Sequence, residues 1–409
     1  MIEEEDSSAI VPAISIPHSV TSLRSLSRQG VNTIAVCEVE TAAFCSRHCD
    51  EKRRVPAPGD DLIGYKNALL SLAERADVGA IVPMREEDIY VLSKYRAEFA
   101  NELAPLWPRF DTLEVVHDRL RLVAAAEEAG VPAPETTTLA DAGDWSARRV
   151  IKGRYGLLTD EHLDASGGCI RPSAVEFVQP GEEPDRAVIR SRLKHDPIVQ
   201  EYVPGDEYAV WALYNDGEPV ATCQKHQVRA ENYYGGTSIY RKTTRIPELE
   251  AAGQALLNHL DWHGLASVQF KRDADTGEFK LMEINPRAWA SISCPVRAGL
   301  DVPYLYWCVA TGETIPEGME YKEGVGTHYV TGEMKYLLSI ARKDHPFVDP
   351  PLFRTALWNV ASSMVTQPYF EYLSPRDPFP FVCELGSTLG TRISNRTVSS
   401  VRNSTVEEP

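Results

Sequence analysis

Two short turns constrain this chain more than any other feature. Asn215-Asp216-Gly217 lies between the runs Tyr208–Tyr214 and Pro219–Val228, and Asp275-Thr276-Gly277 lies between Ala266–Arg272 and Glu278–Ile284. Turns of this composition reverse a chain between strands, so each should join a β-hairpin. Pro247–Leu260 separates the two, with Leu249, Ala252, Leu256, Leu257 and Leu260 on one helical stripe. This middle region therefore reads as an antiparallel sheet carrying a helix. A strand at Ile198–Val203 precedes it, and a helix bearing Val302, Leu305, Tyr306 and Val309 follows, closed by Gly312.

The beginning of the chain has another rhythm. Ala9–Ile14, Val31–Val36 and Ala80–Pro83 are short apolar runs separated by helical patterns, the first from Ser19 to Gly30. Strands alternating with helices predict a parallel sheet covered by helices. No G-x-G-x-x-G follows the first run, so no dinucleotide fingerprint is present. One long helix is expected from Val116 to Gly130. Arg149–Lys152 begins a new strand, and Gly153–Pro184 reads as a loop-rich connection. Beyond about residue 320 the chain is aromatic and proline-rich, and the polar end is expected to be disordered, since it cannot repay its ordering entropy.

Composition narrows the function. The 409 residues carry a net charge of −17, which repels a phosphate backbone and argues against general nucleic-acid binding. No apolar run is long enough to span a bilayer, and the acidic start lacks the basic region of a signal peptide, so a soluble cytoplasmic protein is expected. The eight cysteines are scattered, and reduced, partly buried thiols are expected. Cys45, His48 and Cys49 lack a second ligand pair for a tetrahedral metal site.

Several polar residues stand at strand ends. Glu283 and Asn285, two apart in LMEINPR, share one face of a strand. Gln269 sits on the preceding strand, where a hairpin could bring it alongside. Three such oxygens suit Mg²⁺, although an ion pair between Glu283 and Arg287 is the plainer explanation on charge alone. Lys152 closes an apolar strand, where an ammonium can hold phosphate oxygens or simply lie exposed. Ser166-Gly167-Gly168 and Gly235-Gly236-Thr237-Ser238 could offer amides to phosphates or merely turn the chain. In VQEYVPGDEY, Glu201 and Val203 could read an adenine edge and Glu207 could accept ribose hydroxyls, or the strand could simply be leaving a domain. Arg85-Glu86-Glu87 and Arg297 are candidates for substrate contact or ordinary surface charge.

In this order these segments resemble the ATP-grasp superfamily, particularly carboxylate–amine ligases similar to the large subunit of carbamoyl-phosphate synthase. VQEYVPGDEY, GLASVQFKRD and LMEINPRAWASISCPVRAGLDVP carry the resemblance, which extends over residues ~5 to ~380. It implies an α/β pre-ATP-grasp domain at 1–115, followed by an α+β ATP-grasp fold of two subdomains clamping ATP: a small one with a flap at 116–205 and a large one with the metal site at 206–315. A helical extension at 316–383 and the tail at 384–409 complete the expected organisation. The resemblance also implies an ATP- and Mg²⁺-dependent (or Mn²⁺-dependent) joining of a small-molecule carboxylate to an amine through an acyl phosphate, and dimers are common in the family. Arg119 and Lys152 would meet the phosphates, Glu201 and Val203 the adenine, and Glu207 the ribose. Gln269, Glu283 and Asn285 would hold metal, and Arg287 would stabilise the reacting carboxyl-phosphate. Two departures stand out: many relatives have a carboxylate at the position of Gln269, and Gly153–Gly168 differs from the compact flap. Activation of bicarbonate, or a regulatory protein that binds nucleotide without turnover, are the alternatives.

Overall fold

The computed structural model describes residues 7–387 except 15, 163–167, 173 and 343. The first layer is a parallel sheet ordered β3-β2-β1-β4, made of β1 (Ser8–Pro12), β2 (Asn32–Cys37), β3 (Glu51–Arg54) and β4 (Val78–Ile81). Helices α1 (Pro17–Arg28), α2 (Leu62–Ala73), α3 (Glu86–Lys94) and the single turn α4 (Arg96–Phe99) accompany it. The three apolar runs are strands β1, β2 and β4. The fourth, β3, escapes a reading by hydrophobicity because it is Glu-Lys-Arg-Arg and sits at the sheet edge, mostly exposed.

The helix expected from Val116 starts only at Arg119, as α6 (Arg119–Glu128), and a separate α5 (Phe110–His117) precedes it. Asp118 separates the two with extended backbone angles. Its carboxylate caps the Leu120 amide and accepts Arg154 Nη2 at 2.6 Å. A tertiary ion pair and a cap together override local helical propensity.

Next comes an antiparallel sheet ordered β5-β8-β6-β7: β5 (Thr136–Thr138), β6 (Arg149–Lys152), β7 (Val175–Val178) and β8 (Ile198–Glu201). Helix α7 (Arg186–Leu193) covers its small core of Leu139, Ile151, Val178, Ile189 and Val199. Strand β7 thus lies inside the stretch expected to be loop.

The largest sheet is antiparallel and six-stranded, ordered β13-β12-β9-β10-β11-β14. It comprises β9 (Gly205–Asn215), β10 (Glu218–Asn232), β11 (Gly235–Thr244), β12 (Gly264–Asp273), β13 (Phe279–Asn285) and β14 (Gly326–His328). Both expected hairpins are present, with Tyr214 opposite Pro219 and Arg272 opposite Phe279. Gly217 and Gly277 take φ of +80° and +78°, as such turns require. Alternation splits the sheet into two faces. Val210, Ala212, Val268 and Phe270 pack under Leu249, Leu256 and Leu257 of α8 (Pro247–His259). Trp211, Leu213 and Cys223 belong to the core containing Val11, Val20 and Leu23 of the first layer.

Helix α8 approaches β9 closely at Gly253, where an added Cβ would lie 2.7 Å from Val210 Cγ2. Gly253→Ala is therefore expected to cost about 1–3 kcal/mol through overpacking. A urea titration should show a lower midpoint with an unchanged slope.

Short helices α9 (Ser293–Ala298) and α10 (Val302–Thr311) follow β13, and α11 (Val330–Arg342) and α12 (Phe353–Thr366) follow β14. The region beyond 316 is thus not purely helical, since β14 extends the large sheet. It also returns to the first layer. Asp377 accepts Arg24 Nε and Ser46 Oγ, both at 2.8 Å. Cys45 and Cys383, 338 positions apart, form a disulfide, which corrects the expectation that all thiols are reduced. Glu384 is buried and accepts the Tyr329 hydroxyl at 2.6 Å. The expected disordered tail therefore does not begin at 384, and its remainder from 388 lies outside the described residues. No described helix is long and apolar enough to cross a membrane.

Candidate active site

The site is built in rows on the face of the large sheet that carries Trp211. Gln269 of β12 lies opposite Glu283 of β13 on one side and Ala209 of β9 on the other, and Ala209 lies opposite Lys225 of β10. One step toward the loop that enters β9, Lys271, Glu207 and Gln227 form a second row. One step the other way, Asn285, Ser267 and Trp211 form a third. Directly paired residues project to the same face, so hairpin register alone gathers these groups. A cavity of ≈ 310 Å³ opens above them, lined by Glu207, Lys225, Gln269, Glu283, Asn285 and Arg287 among others.

Two cations from β6 and α6 act on Glu283. Arg119, at the first turn of α6, donates from Nη2 to Glu283 Oε2 at 2.9 Å and from Nη1 to the Gly153 carbonyl at 2.8 Å. Lys152 ends β6. Burial, reinforced by the charge of Arg119, pushes its ammonium down to about 7, while Glu283 and Glu207 pull upward. Burial raises the Glu283 carboxyl, but Arg119 and Lys152 outweigh it and hold the pKa below the ordinary value. Lys225 is buried beside Gln227 Oε1 (3.2 Å), and burial pushes it down to about 8.

Glu283 does not pair with Arg287, as charge logic suggested. Arg287 Nε donates to Glu86 Oε1 at 2.6 Å, and its Nη2 donates to Asn285 Oδ1 at 3.1 Å. Asn285 Nδ2 in turn donates to Glu283 Oε1 at 3.2 Å. Glu86 begins α3 in the first layer and also meets His117 Nε2 at 3.1 Å. Burial raises its pKa, but the charge of Arg287 prevails and keeps it far below the ordinary range. Arg85 and Glu87 are likewise not free surface charges: Arg85 is buried against Asp88 and Glu38, and Glu87 pairs with Arg171.

The hinge between the two antiparallel sheets holds the remaining candidates. The Glu201 carboxylate accepts Lys280 Nζ at 3.0 Å. The Val203 carbonyl accepts Lys271 Nζ at 3.1 Å, and the Val203 amide has no hydrogen-bond partner among the described residues. Glu207 accepts Gln227 Nε2 at 2.6 Å. Arg297 lies apart in α9, stacked over Tyr369 at 4.9 Å. Gly236, Thr237 and Ser238 line the main cavity, within strand β11 rather than a turn. Ser166 and Gly167 lie outside the described residues.

Sequence reasoning missed Lys225, Arg171 and His18, which all line the cavity. Lys225 was legible only as one charged residue in an alternating polar strand. His18 is fully buried, its Nε2 is 3.0 Å from the Met84 carbonyl, and burial lowers its pKa to about 4.

Gln269, Glu283 and Asn285 fit a hard divalent cation by donor chemistry, since all offer oxygen from one sheet face. The set holds a single carboxylate. Among the described residues no group of three or more His, Cys, Asp or Glu could hold a metal. Such an ion would need anionic oxygens from its ligand.

A parallel layer followed by two antiparallel sheets, the larger carrying oxygen-bearing and cationic side chains on one face, has the ATP-grasp fold. Residues 194–333 match the family described as "ATP-grasp in the biosynthetic pathway with Ter operon". Solved structures share the fold at low identity. Pyruvate carboxylase from Rhizobium etli is 16% identical with a TM-score of 0.58, over 78% of this chain and 29% of that one. The biotin carboxylase domain of Hydrogenobacter thermophilus 2-oxoglutarate carboxylase, solved as a dimer with MgADP and bicarbonate, is 14% identical with a TM-score of 0.58, over 78% and 73%. L-amino acid ligase from Bacillus licheniformis is 14% identical with a TM-score of 0.57, over 79% of each chain. The chain thus spans less than a third of the pyruvate carboxylase. No curated protein matches the sequence.

Proposed function

We propose that the protein is an ATP-dependent ligase that joins a small-molecule carboxylate to an amine through an acyl phosphate. The observation supporting this most directly is the convergence of Gln269, Glu283 and Asn285 on one cavity, with the charges of Arg119 and Lys152 acting on Glu283. In this reading Lys152 and Arg119 hold triphosphate oxygens, and Arg119 exchanges Glu283 for phosphate as nucleotide enters. The Val203 amide donates to the adenine ring and Glu207 accepts ribose hydroxyls. Because Lys280 occupies the Glu201 carboxylate, residue 201 serves the hinge as a structural anchor through its side chain. Gln269, Glu283 and Asn285 would hold Mg²⁺, or Mn²⁺ in its place, and such an ion neutralises charge on the phosphates being transferred.

The chemistry needs no protein nucleophile. A substrate carboxylate oxygen attacks the γ-phosphorus and ADP leaves. The amine nitrogen then attacks the acyl carbon, phosphate departs, and the nitrogen loses a proton. Catalysis of the first step is mainly positioning and charge stabilisation. In this reading Arg287, which donates to Glu86 and Asn285, stabilises the carboxyl-phosphate.

One observation favours a second reading: with Gln at 269 the oxygen row has one carboxylate, as would suit a nucleotide-binding regulator without turnover. Release of ADP from ATP and Mg²⁺, measured against pooled carboxylates and amines, separates the readings. ADP release requiring both a carboxylate and an amine is the expected result. Release stimulated by bicarbonate alone would reassign the acid substrate, and saturable ATP binding with no release from any pool would favour the regulator.

A further inference from the structure

The large sheet carries a second cavity, of ≈ 340 Å³, at the end where β9 begins. Glu207 and Gln227 line both this cavity and the main one, so the two are continuous along one sheet face. Its floor is Lys271, Glu207 and Gln227, and Tyr202 of the hinge stands at one side. The outer wall includes Tyr336 and Val348, which belong to the region beyond residue 316. That region is more than a neighbour here. Residues 345–348 cross from one antiparallel sheet to the other. On the β7 side, Phe347 packs edge-on against Phe177 (5.5 Å) and Tyr202 (4.7 Å), Arg148 lies over its ring at 5.3 Å, and Gln179 Nε2 donates to the Pro346 carbonyl at 2.9 Å. On the β10–β11 side, His345 stacks on Tyr234 at 4.3 Å. Helix α11 fixes the strap's origin, through Lys335 on Glu231 at 3.2 Å and Ser339 Oγ accepting the Tyr233 amide at 3.1 Å.

We infer that the C-terminal extension forms the outer wall of the nucleoside half of the nucleotide site, with Tyr336 and Val348 as binding residues and His345–Phe347 as a strap that positions them. The inference rests on the ligase reading, in which the triphosphate lies over Gln269 and Glu283. With the phosphates there and the ribose at Glu207, the nucleoside extends toward the loop that enters β9. The second cavity lies there, and its aromatic and aliphatic rim suits a flat heteroaromatic base. A phosphate-only ligand would reach the first cavity and never meet the extension.

That difference makes the test. Affinity of the full chain for ATP and for inorganic tripolyphosphate, both with Mg²⁺, is compared by calorimetry in Val348→Trp and Phe347→Ala. Val348→Trp fills the cavity without removing the strap and is expected to weaken ATP about tenfold while tripolyphosphate changes less than about twofold. Phe347→Ala frees the strap and should weaken ATP about threefold to tenfold, the effect of losing an aromatic cluster, again sparing tripolyphosphate. ATP binding equal to wild type in both variants overturns the wall. Equal loss of both ligands also overturns it, because the effect would then be general damage. A wild-type protein that binds neither ligand overturns the nucleotide reading itself.

Discussion

Replacing Glu283 with Gln is expected to reduce ADP release by at least about 10²–10³-fold, the usual consequence of removing one charge-stabilising group from a reacting centre. The size follows from the oxygen row. Gln269 and Asn285 are neutral, so Glu283 supplies the row's whole negative charge. Glutamine keeps the shape and can still accept from Asn285 Nδ2, which donates to Glu283 at 3.2 Å in the native protein. It cannot neutralise Arg119, which donates to Glu283 at 2.9 Å. Arg119 retains the Gly153 carbonyl at 2.8 Å, so the variant should fold, and a thermal melt checks that. Turnover equal to wild type across a Mg²⁺ titration would remove the metal assignment and leave Glu283 as the ion-pair partner of Arg119. The converse change, Gln269→Glu, adds a carboxylate opposite Glu283 and should lower the Mg²⁺ concentration needed for half-maximal activity.

The oxygen row was legible because a strand repeats every two residues and a tight hairpin fixes register. Given Asp275-Thr276-Gly277, the placement of Gln269, Glu283 and Asn285 on one face needs only local information. The partners of that row were not legible, because they come from other layers. Arg119 is 164 positions from Glu283, and Glu86 is 201 from Arg287. Charge logic applied along the chain selected the nearest cation, Arg287, and chose wrongly. Elements failed for related reasons. Strand β11 opens with Gly-Gly-Thr-Ser, which imitates a turn, yet β10 holds it in an antiparallel ladder. The break at Asp118 is set by Arg154, a residue 36 positions away. The Cys45–Cys383 disulfide depends on the extension folding back to Arg24 and Ser46, which no spacing of cysteines expresses. Periodicity placed Gln269, Glu283 and Asn285 on one sheet face, and the long-range ion pairs around them appear only with the fold.

Lys152 offers the second large effect, and it has a pH signature. Lys152→Met should lower kcat/KM for ATP by about 10²–10³-fold if its ammonium holds the phosphates. In the ligand-free protein burial pushes this group down to about 7, against about 10.4 for an unfolded lysine. Between those values the unfolded chain binds the extra proton. Folding stability from this group therefore rises with pH through that window, and it is lowest where Lys152 is charged, below about pH 7. A bound triphosphate reverses the preference, since nearby negative charge favours the ammonium. Near pH 8 the free protein holds Lys152 largely neutral, so ATP binding should draw a proton from solution, whereas near pH 6 it should draw almost none. Lys225, which lines the main cavity and is pushed down to about 8, adds to the uptake, so Lys152→Met should reduce it without abolishing it. Calorimetry of ATP binding near pH 8 in two buffers of different ionisation enthalpy reads the proton count directly. Binding heats identical in both buffers, with tight ATP binding intact, would show that no net proton is taken up and overturn the neutral Lys152 of the free protein. Unchanged kcat/KM for ATP in Lys152→Met would instead remove its phosphate contact.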